Sequence, residues 1–278
     1  TIWVNDPPNH RFSVRRDDGE YIKDVPSALT SFGYIWHGYF DTAGRMVNQI
    51  SVPNPKPSAP NGIDYSNRYH PMLERRSMTS NQADTIPELS CTPPGTTIRN
   101  WSGRSARGGI VMGVPFRAFG SIARSPQDFG WCADGGKYAI YRLRLGRGDT
   151  LQVIRGNAAP IPVTATERDS AVASAKALFV RSHLDPAIVS PGDIPPVKPV
   201  IISLLLDDQN RLWVRLTSAV KGHTRYDVYD AKGAEVGTID LTAAIREEPV
   251  LIRGNKLYAV VLDADDVPSV VRYRIETR

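Results

Sequence analysis

Cysteine is scarce in this chain: only Cys91 and Cys132 occur among its 278 residues. They stand far apart, and neither belongs to a Cys-x-x-Cys motif, which argues against a metal cluster or a dithiol redox centre. Two interpretations stay open from the sequence alone. The pair forms a disulfide in an oxidising compartment, or both residues are buried free thiols.

Long apolar segments are also missing. The longest apolar stretch, Val200 to Leu206, is far shorter than the roughly 20 residues that a membrane-spanning helix requires. The sequence begins at Thr1 with no basic leader and apolar core, which is compatible with a signal peptide that has been removed or with a start further upstream. We therefore expect an exported protein, periplasmic or extracellular, without a transmembrane segment in this chain.

Recognisable catalytic motifs are absent from the sequence. It contains no Gly-x-Ser-x-Gly nucleophile elbow and no His-Glu-x-x-His zinc motif, and Gly135-Gly136-Lys137 lacks the spacing and the following Ser or Thr of a phosphate-binding loop. The five histidines are dispersed, and none stands at metal-ligand spacing from another. The sequence therefore predicts no catalytic residue and no metal ligand, and it favours a protein that is not an enzyme.

The charge balance is mildly basic, with a net charge of +5 and a pI near 9.2. Such a balance favours acidic partners, among them an anionic membrane surface, an acidic protein face or nucleic acid. The densest basic stretch, Arg99 to Gly109, lacks the regularly spaced aromatics on which bases stack. We therefore expect no nucleic-acid binding.

What the chain does contain is a repeated pattern of strands and turns. Thr1 to Val25 and Asn210 to Leu241 each hold a Trp-Val pair, a strand in which every second residue is apolar, an acidic turn with glycine, and a second alternating strand. Apolar residues at every second position are typical of a strand with one buried face, and an Asp/Gly turn between two such strands is typical of a hairpin. Each unit is predicted to be a small antiparallel sheet.

Further copies bring the number of recognisable units to five. The additional copies span Phe32 to Val52, Phe129 to Ile154 and Asn255 to Glu276, with Trp36, Trp131 and Tyr258 as their aromatic residues. Regularly recurring sheets of this kind indicate a β-propeller, whose blades are four-stranded sheets of roughly 40 to 50 residues. The repeated aromatic residue would fill the wedge between neighbouring blades.

We predict a single all-β propeller domain over 1–278, interrupted by insertions. Thr164 and Glu167 have the spacing of a capping box, and the alanine-rich sequence after them predicts one inserted α-helix. The insertions are irregular at 53–69 and 97–109 and helical at 164–184.

The stretches "DDQNRLWVR" (Asp207 to Arg215) and "NKLYAVVLDADDVPSVVRYRIE" (Asn255 to Glu276) resemble exported bacterial six-bladed propellers of the NHL and TolB-like kind. The resemblance covers nearly the whole chain, and it implies six blades. Members of that group have a complete blade before the unit that corresponds to Thr1 to Val25, so an amino-terminal part is missing or the ring is closed differently. The shared motifs are structural and carry no catalytic residue.

A propeller places ligands at its axis, where the inner strands end. The candidates for such a site are the polar residues beside the repeated aromatics: Asn5, Asp6, His37, Asp134 and Arg215. Regucalcin-like lactonases, which are also six-bladed, hold a divalent metal at the axis with Glu, Asn and Asp ligands, but this sequence does not offer that set in matching places. We expect no cofactor. Calcium at Asp263 to Asp266 is the alternative, although a hairpin turn explains those aspartates equally well.

The irregular insertions supply a second set of candidates. Arginine and aromatic residues are enriched at the energetically dominant positions of protein interfaces, and loops on a rigid scaffold are where binding residues concentrate. The two insertions predict contacts with a partner protein that has an acidic or mixed face. The candidate contact residues are Arg68, Tyr69, Trp101, Arg104 and Arg107.

Together these observations favour a non-catalytic binding or scaffold propeller at the cell envelope. We expect an accessory subunit that mediates protein–protein contacts on the periplasmic face of a larger assembly, whether or not that assembly is membrane-bound. The alternative is a metal-dependent, lactonase-like hydrolase or lyase with its site at the propeller axis. That alternative depends on fold analogy alone.

Overall fold

The computed structural model divides the chain into two compact units, Thr1–Glu88 and Leu89–Arg278. The residues that the structure describes are 1–26, 38–53, 69–80, 82–91, 100–105, 108–263 and 265–276.

The first unit contains two antiparallel sheets. The first sheet has the order β1-β2-β3 and the second the order β4-β5-β6-β7, so that strands adjacent in sequence are hydrogen-bonded neighbours. Trp3 packs on Phe12 and Phe40, with ring centroids 6.1 and 4.7 Å apart. The strands are β1 (Ile2–Asp6), β2 (Arg11–Arg15), β3 (Tyr21–Pro26), β4 (Tyr39–Phe40), β5 (Met46–Pro53), β6 (Tyr69–Arg76) and β7 (Ala83–Pro87).

The described residues of the second unit form a hairpin, three larger sheets and one α-helix. The hairpin is formed by β8 (Asn100–Ser105) and β9 (Gly108–Gly113). The larger sheets have the orders β10-β11-β12-β13, β14-β15-β16-β17 and β18-β19-β20. Their strands are β10 (Ser121–Arg124), β11 (Phe129–Ala133), β12 (Ala139–Arg144), β13 (Thr150–Arg155), β14 (Ile201–Leu206), β15 (Leu212–Leu216), β16 (Thr224–Tyr229), β17 (Glu235–Leu241), β18 (Ile245–Arg253), β19 (Lys256–Leu262) and β20 (Pro268–Arg274).

The five sheets of three or four strands are the blades of an all-β propeller. In each of them successive strands pair antiparallel, as in a propeller blade. Six blades are not confirmed, because the remaining sheet in the described part of the chain is the two-stranded hairpin β8–β9. The sixth blade was expected only from the resemblance, whereas the five units recognised in the sequence rest on their own alternating patterns.

One hydrogen-bond pattern recurs in the hairpin turns. Oδ1 of an aspartate accepts the backbone N–H groups of the second and fourth residues after it. The third residue after each aspartate has a positive φ, between 57° and 81°, which glycine, asparagine and aspartate tolerate best. This pattern explains the acidic turns of the repeat, including the one over Asp263 to Asp266. The four aspartates are Asp41, Asp207, Asp230 and Asp263.

The predicted helix is present as α1 (Ala165–Arg181), with Thr164 as its N-cap. Thr164 Oγ1 accepts the Glu167 N–H at 3.2 Å, and Glu167 Oε2 accepts the Thr164 N–H at 3.0 Å, which completes the capping box. The helix buries Ala175 and Phe179 in a cluster that also contains Trp101 of β8. Within the described residues, no helix has the length and apolar character needed to cross a membrane.

The two cysteines form a disulfide. The Cα atoms of Cys91 and Cys132 lie 5.4 Å apart, in the usual range for such a bond. Cys132 lies on β11 and is buried, whereas Cys91 is half-buried near the start of the second unit. The structure therefore decides between the two interpretations that the sequence left open.

Candidate ligand-binding site at the first strands of the blades

An open cleft of about 600 Å³ lies along β10 and β14, the first strands of two neighbouring blades in the second unit. The two strands are joined by a hydrogen bond of 2.8 Å, in which the Leu204 N–H donates to Ser121 Oγ. The walls are largely apolar, and their charged residues are Arg117, Lys198 and Glu247 of β18. The apolar lining includes Phe116, Phe119, Ile122, Ile202 and Leu205.

A row of polar side chains begins at this cleft and crosses the sheet behind it. Ser203 of β14 lines the cleft and is the register partner of Arg215 on β15, and Arg215 is in turn the register partner of Tyr226 on β16. Directly opposed residues of antiparallel strands point to the same face, with Cβ atoms about 5 Å apart. The three side chains therefore form one continuous row on one face of the blade.

Each member of the row carries a buried polar atom without a hydrogen-bond partner among the described residues. The atoms are Ser203 Oγ, Arg215 Nη1 and Tyr226 OH. Tyr226 is 0% exposed, so water does not reach its hydroxyl from the surface. A buried polar group left unpaired costs about 1 to 3 kcal/mol, and such groups in folded proteins usually have a partner. Of the three residues, Ser203 lines the cleft, whereas Tyr226 lies in the apolar cluster that packs against β18 and β19.

Arg215 is fixed by its other nitrogen. Arg215 Nη2 donates to the backbone oxygen of Ile245 on β18 at 2.9 Å, and Nη1 is buried without a partner among the described residues. Trp213, two residues earlier, packs edge-on against Tyr226 with ring centroids 5.9 Å apart. The guanidinium and the phenol are thus both held in place before any ligand binds.

The electrostatics of the row keep Tyr226 neutral. Burial raises the pKa of the Tyr226 phenol above its ordinary value; the Arg215 guanidinium opposes this shift and the Glu247 carboxylate adds to it. At neutral pH the row therefore presents a neutral hydroxyl donor, a second hydroxyl on Ser203 and one positive guanidinium.

Arg215 is the predicted axial residue that lies in this row. Asn5 and Asp6 belong to β1 of the first unit, where Asn9 and Arg11 bond to the Asp6 carboxylate and lower its pKa. Asp134 Oδ1 accepts the N–H groups of Gly136 and Lys137 in a turn. His37 lies outside the described residues. The axial site formed by this set stays a prediction.

The structure describes three of the five predicted contact residues of the insertions, Tyr69, Trp101 and Arg104. Trp101 is only 2% exposed, and its indole Nε1 donates to Asp193 Oδ2 at 3.0 Å, so this side chain packs in the interior. The expectation of an irregular segment over 97–109 was wrong for residues 100–105 and 108–109, which form β8 and the start of β9, because Trp101 anchors that hairpin to the helix. Arg104 is exposed on β8. Tyr69 begins β6, and Arg68 and Arg107 lie outside the described residues.

Sequence reasoning missed Ser203, Tyr226 and Glu247. Ser203 is a polar residue inside the apolar stretch Val200 to Leu206, and that interruption was the one feature that could have revealed it. Tyr226 belongs to an alternating strand, and that pattern predicts only that its side chain is buried. Nothing in the sequence around Glu247 distinguishes it from other surface acids.

Comparison with known proteins finds likeness in fold alone. No protein-family model matches the chain, and no curated protein matches it significantly. Similar solved structures include the hydrazine synthase of Kuenenia stuttgartiensis, at 10% identity and a TM-score of 0.38, over 99% of this chain and 59% of that one. A gluconolactonase from Xanthomonas campestris is also 10% identical, with a TM-score of 0.36, over 90% of this chain and 62% of that one.

A streptogramin B lyase shows a similar degree of likeness, with 10% identity and a TM-score of 0.36, over 99% of this chain and 80% of the other. The chain spans less than two thirds of the length of the first two structures. Likeness at this level carries no argument about activity, and the propeller assignment rests on the sheets themselves.

Proposed function

We propose that this protein is a non-catalytic binding propeller that holds a ligand or a partner segment in the cleft along β10 and β14. The observation that carries the proposal is the open, mostly apolar cleft, which Arg117, Lys198 and Glu247 line together with Ser203, whose Oγ has no partner among the described residues. An apolar pocket with a few convergent polar groups is the usual form of a binding site.

Binding explains this row better than catalysis does. General acid–base chemistry needs a group whose pKa lies near the working pH, whereas burial moves the Tyr226 phenol away from neutrality. Among the described residues, no group of three or more His, Cys, Asp or Glu side chains is placed to hold a metal ion.

The wider role that we propose is that of a scaffold or accessory subunit outside the cytoplasm. The disulfide between Cys91 and Cys132 supports an oxidising compartment, such as the periplasm or the extracellular space. The net charge of +5 supports a partner with an acidic or mixed face. A protein complex at the cell envelope, membrane-associated or not, has both properties.

The test is recovery of the native partner with a cleft variant and a matched surface variant. Phe119 lines the cleft and is 49% exposed, and Val236 on β17 is an apolar residue of the same 49% exposure outside the cleft. We expect crosslinked complexes purified from the native envelope to be lost with Phe119→Asp and retained with Val236→Asp. Equal recovery of every component with both variants would show that the cleft does not bind the partner.

A further inference from the structure

We infer that the chain forms a two-fold dimer in which the free edge of β20 pairs antiparallel with β20 of a second copy. The dimer does not involve the cleft, so it stands apart from the function proposed above. Three features of β20 support it: the strand count of its blade, the backbone groups at its edge and the charges along it.

The last blade has a free edge at the position of a third strand. The sheets β4-β5-β6-β7, β10-β11-β12-β13 and β14-β15-β16-β17 have four strands, whereas β18-β19-β20 has three. Within the part of the chain that the structure describes, no strand pairs with the other side of β20. An unpaired edge presents a row of N–H and C=O groups and is a template for pairing with another chain.

The middle of β20 is anchored on one face and exposed on the other. Val271 and Tyr273 pack against the cluster that contains Leu257 and Ala259 of β19. Val270 lies on the opposite face and is 78% exposed, the largest fraction among the exposed large apolar residues of the described chain. The strand is therefore held in place while an apolar side chain at its centre stays in water.

The hydrogen bonds of the hairpin show which backbone groups are free. The Asp263 N–H donates to Val267 O at 3.2 Å beside the turn, and the Ile275 N–H donates to Asn255 O at 2.7 Å at the far end. Bonded and non-bonded pairs alternate along an antiparallel ladder, so the odd-numbered residues of β20 bond to β19. The residues that direct both backbone groups to the free edge are Val270, Arg272 and Arg274.

The two ends of this sheet carry opposite charge. Arg253, Lys256 and Arg274 are register partners across the three strands, and Arg272 lies beside them. The acids near this end are Glu276, whose Oε1 lies 3.5 Å from Arg274 Nε, and Asp208, which accepts the Gly254 N–H. The turn at the other end carries Asp263, Asp265 and Asp266. A two-fold axis reverses the strand direction, so it brings the basic end of one copy beside the acidic turn of the other.

Pairing centred on Val270 satisfies both the backbone and the charges. Val270 bonds to its own counterpart through both backbone groups, and the Arg272 N–H donates to the carbonyl of Pro268 of the second copy. Asp266 comes opposite Arg274 of the second copy, and symmetry repeats this pair. Directly opposed side chains lie about 5 Å apart, and opposite charges at such positions stabilise the pairing.

Neighbouring registers are less favourable. Moving the centre one residue towards the turn sets Pro268 opposite Val270, and proline has no N–H to donate to the second strand. Moving it one residue the other way sets Asp266 opposite Glu276, and like charges directly opposite repel. The residues along the edge therefore favour one register of the dimer.

Sedimentation of the whole chain over a range of concentrations tests the dimer. A pairing of two strand edges buries less area than a standard interface, so we expect a reversible equilibrium between monomer and dimer. A monomer at every concentration from about 1 to 200 µM would overturn the inference.

A first pair of variants tests the backbone pairing. Val270→Pro removes the central N–H, which the ladder between β19 and β20 does not use, and proline is tolerated on the open side of an edge strand. We expect it to abolish the dimer with a nearly unchanged thermal midpoint. Val270→Thr keeps the N–H and the branched shape, so it should dimerise like the unmodified chain. A dimer that survives Val270→Pro would show that the copies meet through another surface.

A second set of variants tests the charges and the register. Arg274→Glu sets like charges opposite each other at two symmetric places and should weaken dimerisation about 10-fold, whereas Arg274→Glu combined with Asp266→Lys should restore most of it. Arg253→Glu makes the same charge change in the same row but on β18, away from the edge, and should leave the dimer unchanged. Equal weakening by Arg253→Glu and Arg274→Glu would overturn the edge pairing, and failure of the double variant to recover at an unchanged thermal midpoint would overturn the register.

Discussion

Asp207 and Trp213 are joined by a hydrogen bond of 3.0 Å, from the indole Nε1 to the carboxylate Oδ2, and both residues are buried. The same carboxylate accepts Arg211 Nε at 2.6 Å and the backbone N–H groups of Gln209 and Arg211. A single side chain thus closes the turn between β14 and β15 and fixes the aromatic residue that follows it. In the preceding blade Ser125 occupies the turn, and the buried Nε1 of Trp131 has no partner among the described residues.

Replacing Asp207 should therefore lower the free energy of unfolding more than replacing an aspartate that only closes a turn. Asp230 accepts two backbone N–H groups, from Lys232 and Ala234. At about 1 kcal/mol per net hydrogen bond, we expect Asp230→Ala to lower the free energy of unfolding by about 2 kcal/mol and Asp207→Ala by about 4 kcal/mol. Urea unfolding of the two variants measures the difference, and equal losses would show that the bonds to Trp213 and to the Arg211 side chain contribute nothing net.

Removing the hydroxyl should affect stability differently at two buried tyrosines. Tyr226 OH has no partner in the described part of the chain, so Tyr226→Phe should leave stability unchanged or raise it by up to about 1 kcal/mol. Tyr138 OH donates to Asp227 Oδ2 at 2.7 Å and lies 2.8 Å from Tyr229 OH. Tyr138→Phe should cost about 1 to 3 kcal/mol, because it leaves the Asp227 carboxylate short of a donor. Thermal and urea unfolding would contradict this account if both variants were equally destabilised.

The capping box should make part of the free energy of unfolding depend on pH. The bonds from Lys198 and Thr164 lower the pKa of Glu167 from 4.5 to about 2. A folded-state pKa below the unfolded value means that this contribution is fully present above about pH 4.5 and is lost as the pH falls towards 2. The gap in unfolding free energy between the unmodified chain and Glu167→Gln should therefore be wider at pH 6 than at pH 3. A gap that does not change between these two values would mean that the Glu167 charge does not stabilise the helix start.

The disulfide should raise the free energy of unfolding by several kcal/mol. The bonded cysteines are 41 residues apart, and the chain-entropy model gives about 4 kcal/mol for a closed loop of that length. Urea unfolding with and without reductant should show that reduction lowers the free energy of unfolding by about that amount. The Cys91→Ser, Cys132→Ser double variant should be insensitive to reductant. A thiol assay on the denatured, unreduced chain should find no free thiol. Two free thiols in that assay would contradict the bond.

The local sequence determined most of the secondary structure. The alternating apolar residues predicted strands, and the turn rule holds because Asp41, Asp207, Asp230 and Asp263 bond to backbone groups no more than four residues away. The capping box between Thr164 and Glu167 is equally local and marked the start of the helix. Interactions within a few residues depend little on the rest of the fold, so the sequence shows them directly.

The candidate site was decided by tertiary structure. A register shift lies between Ile201 and Ser203, where β14 pairs with β15, and a slip of one residue moves a side chain to the opposite face of the sheet. This shift sets Ser203 opposite Arg215, and no short-range pattern encodes it. Trp101 is buried in the same non-local way, through Asp193, which is 92 residues further along the chain. The sequence by itself determined strands, turns and the helix; which side chains meet depended on sheet register and long-range packing, because both are fixed only when distant segments come together.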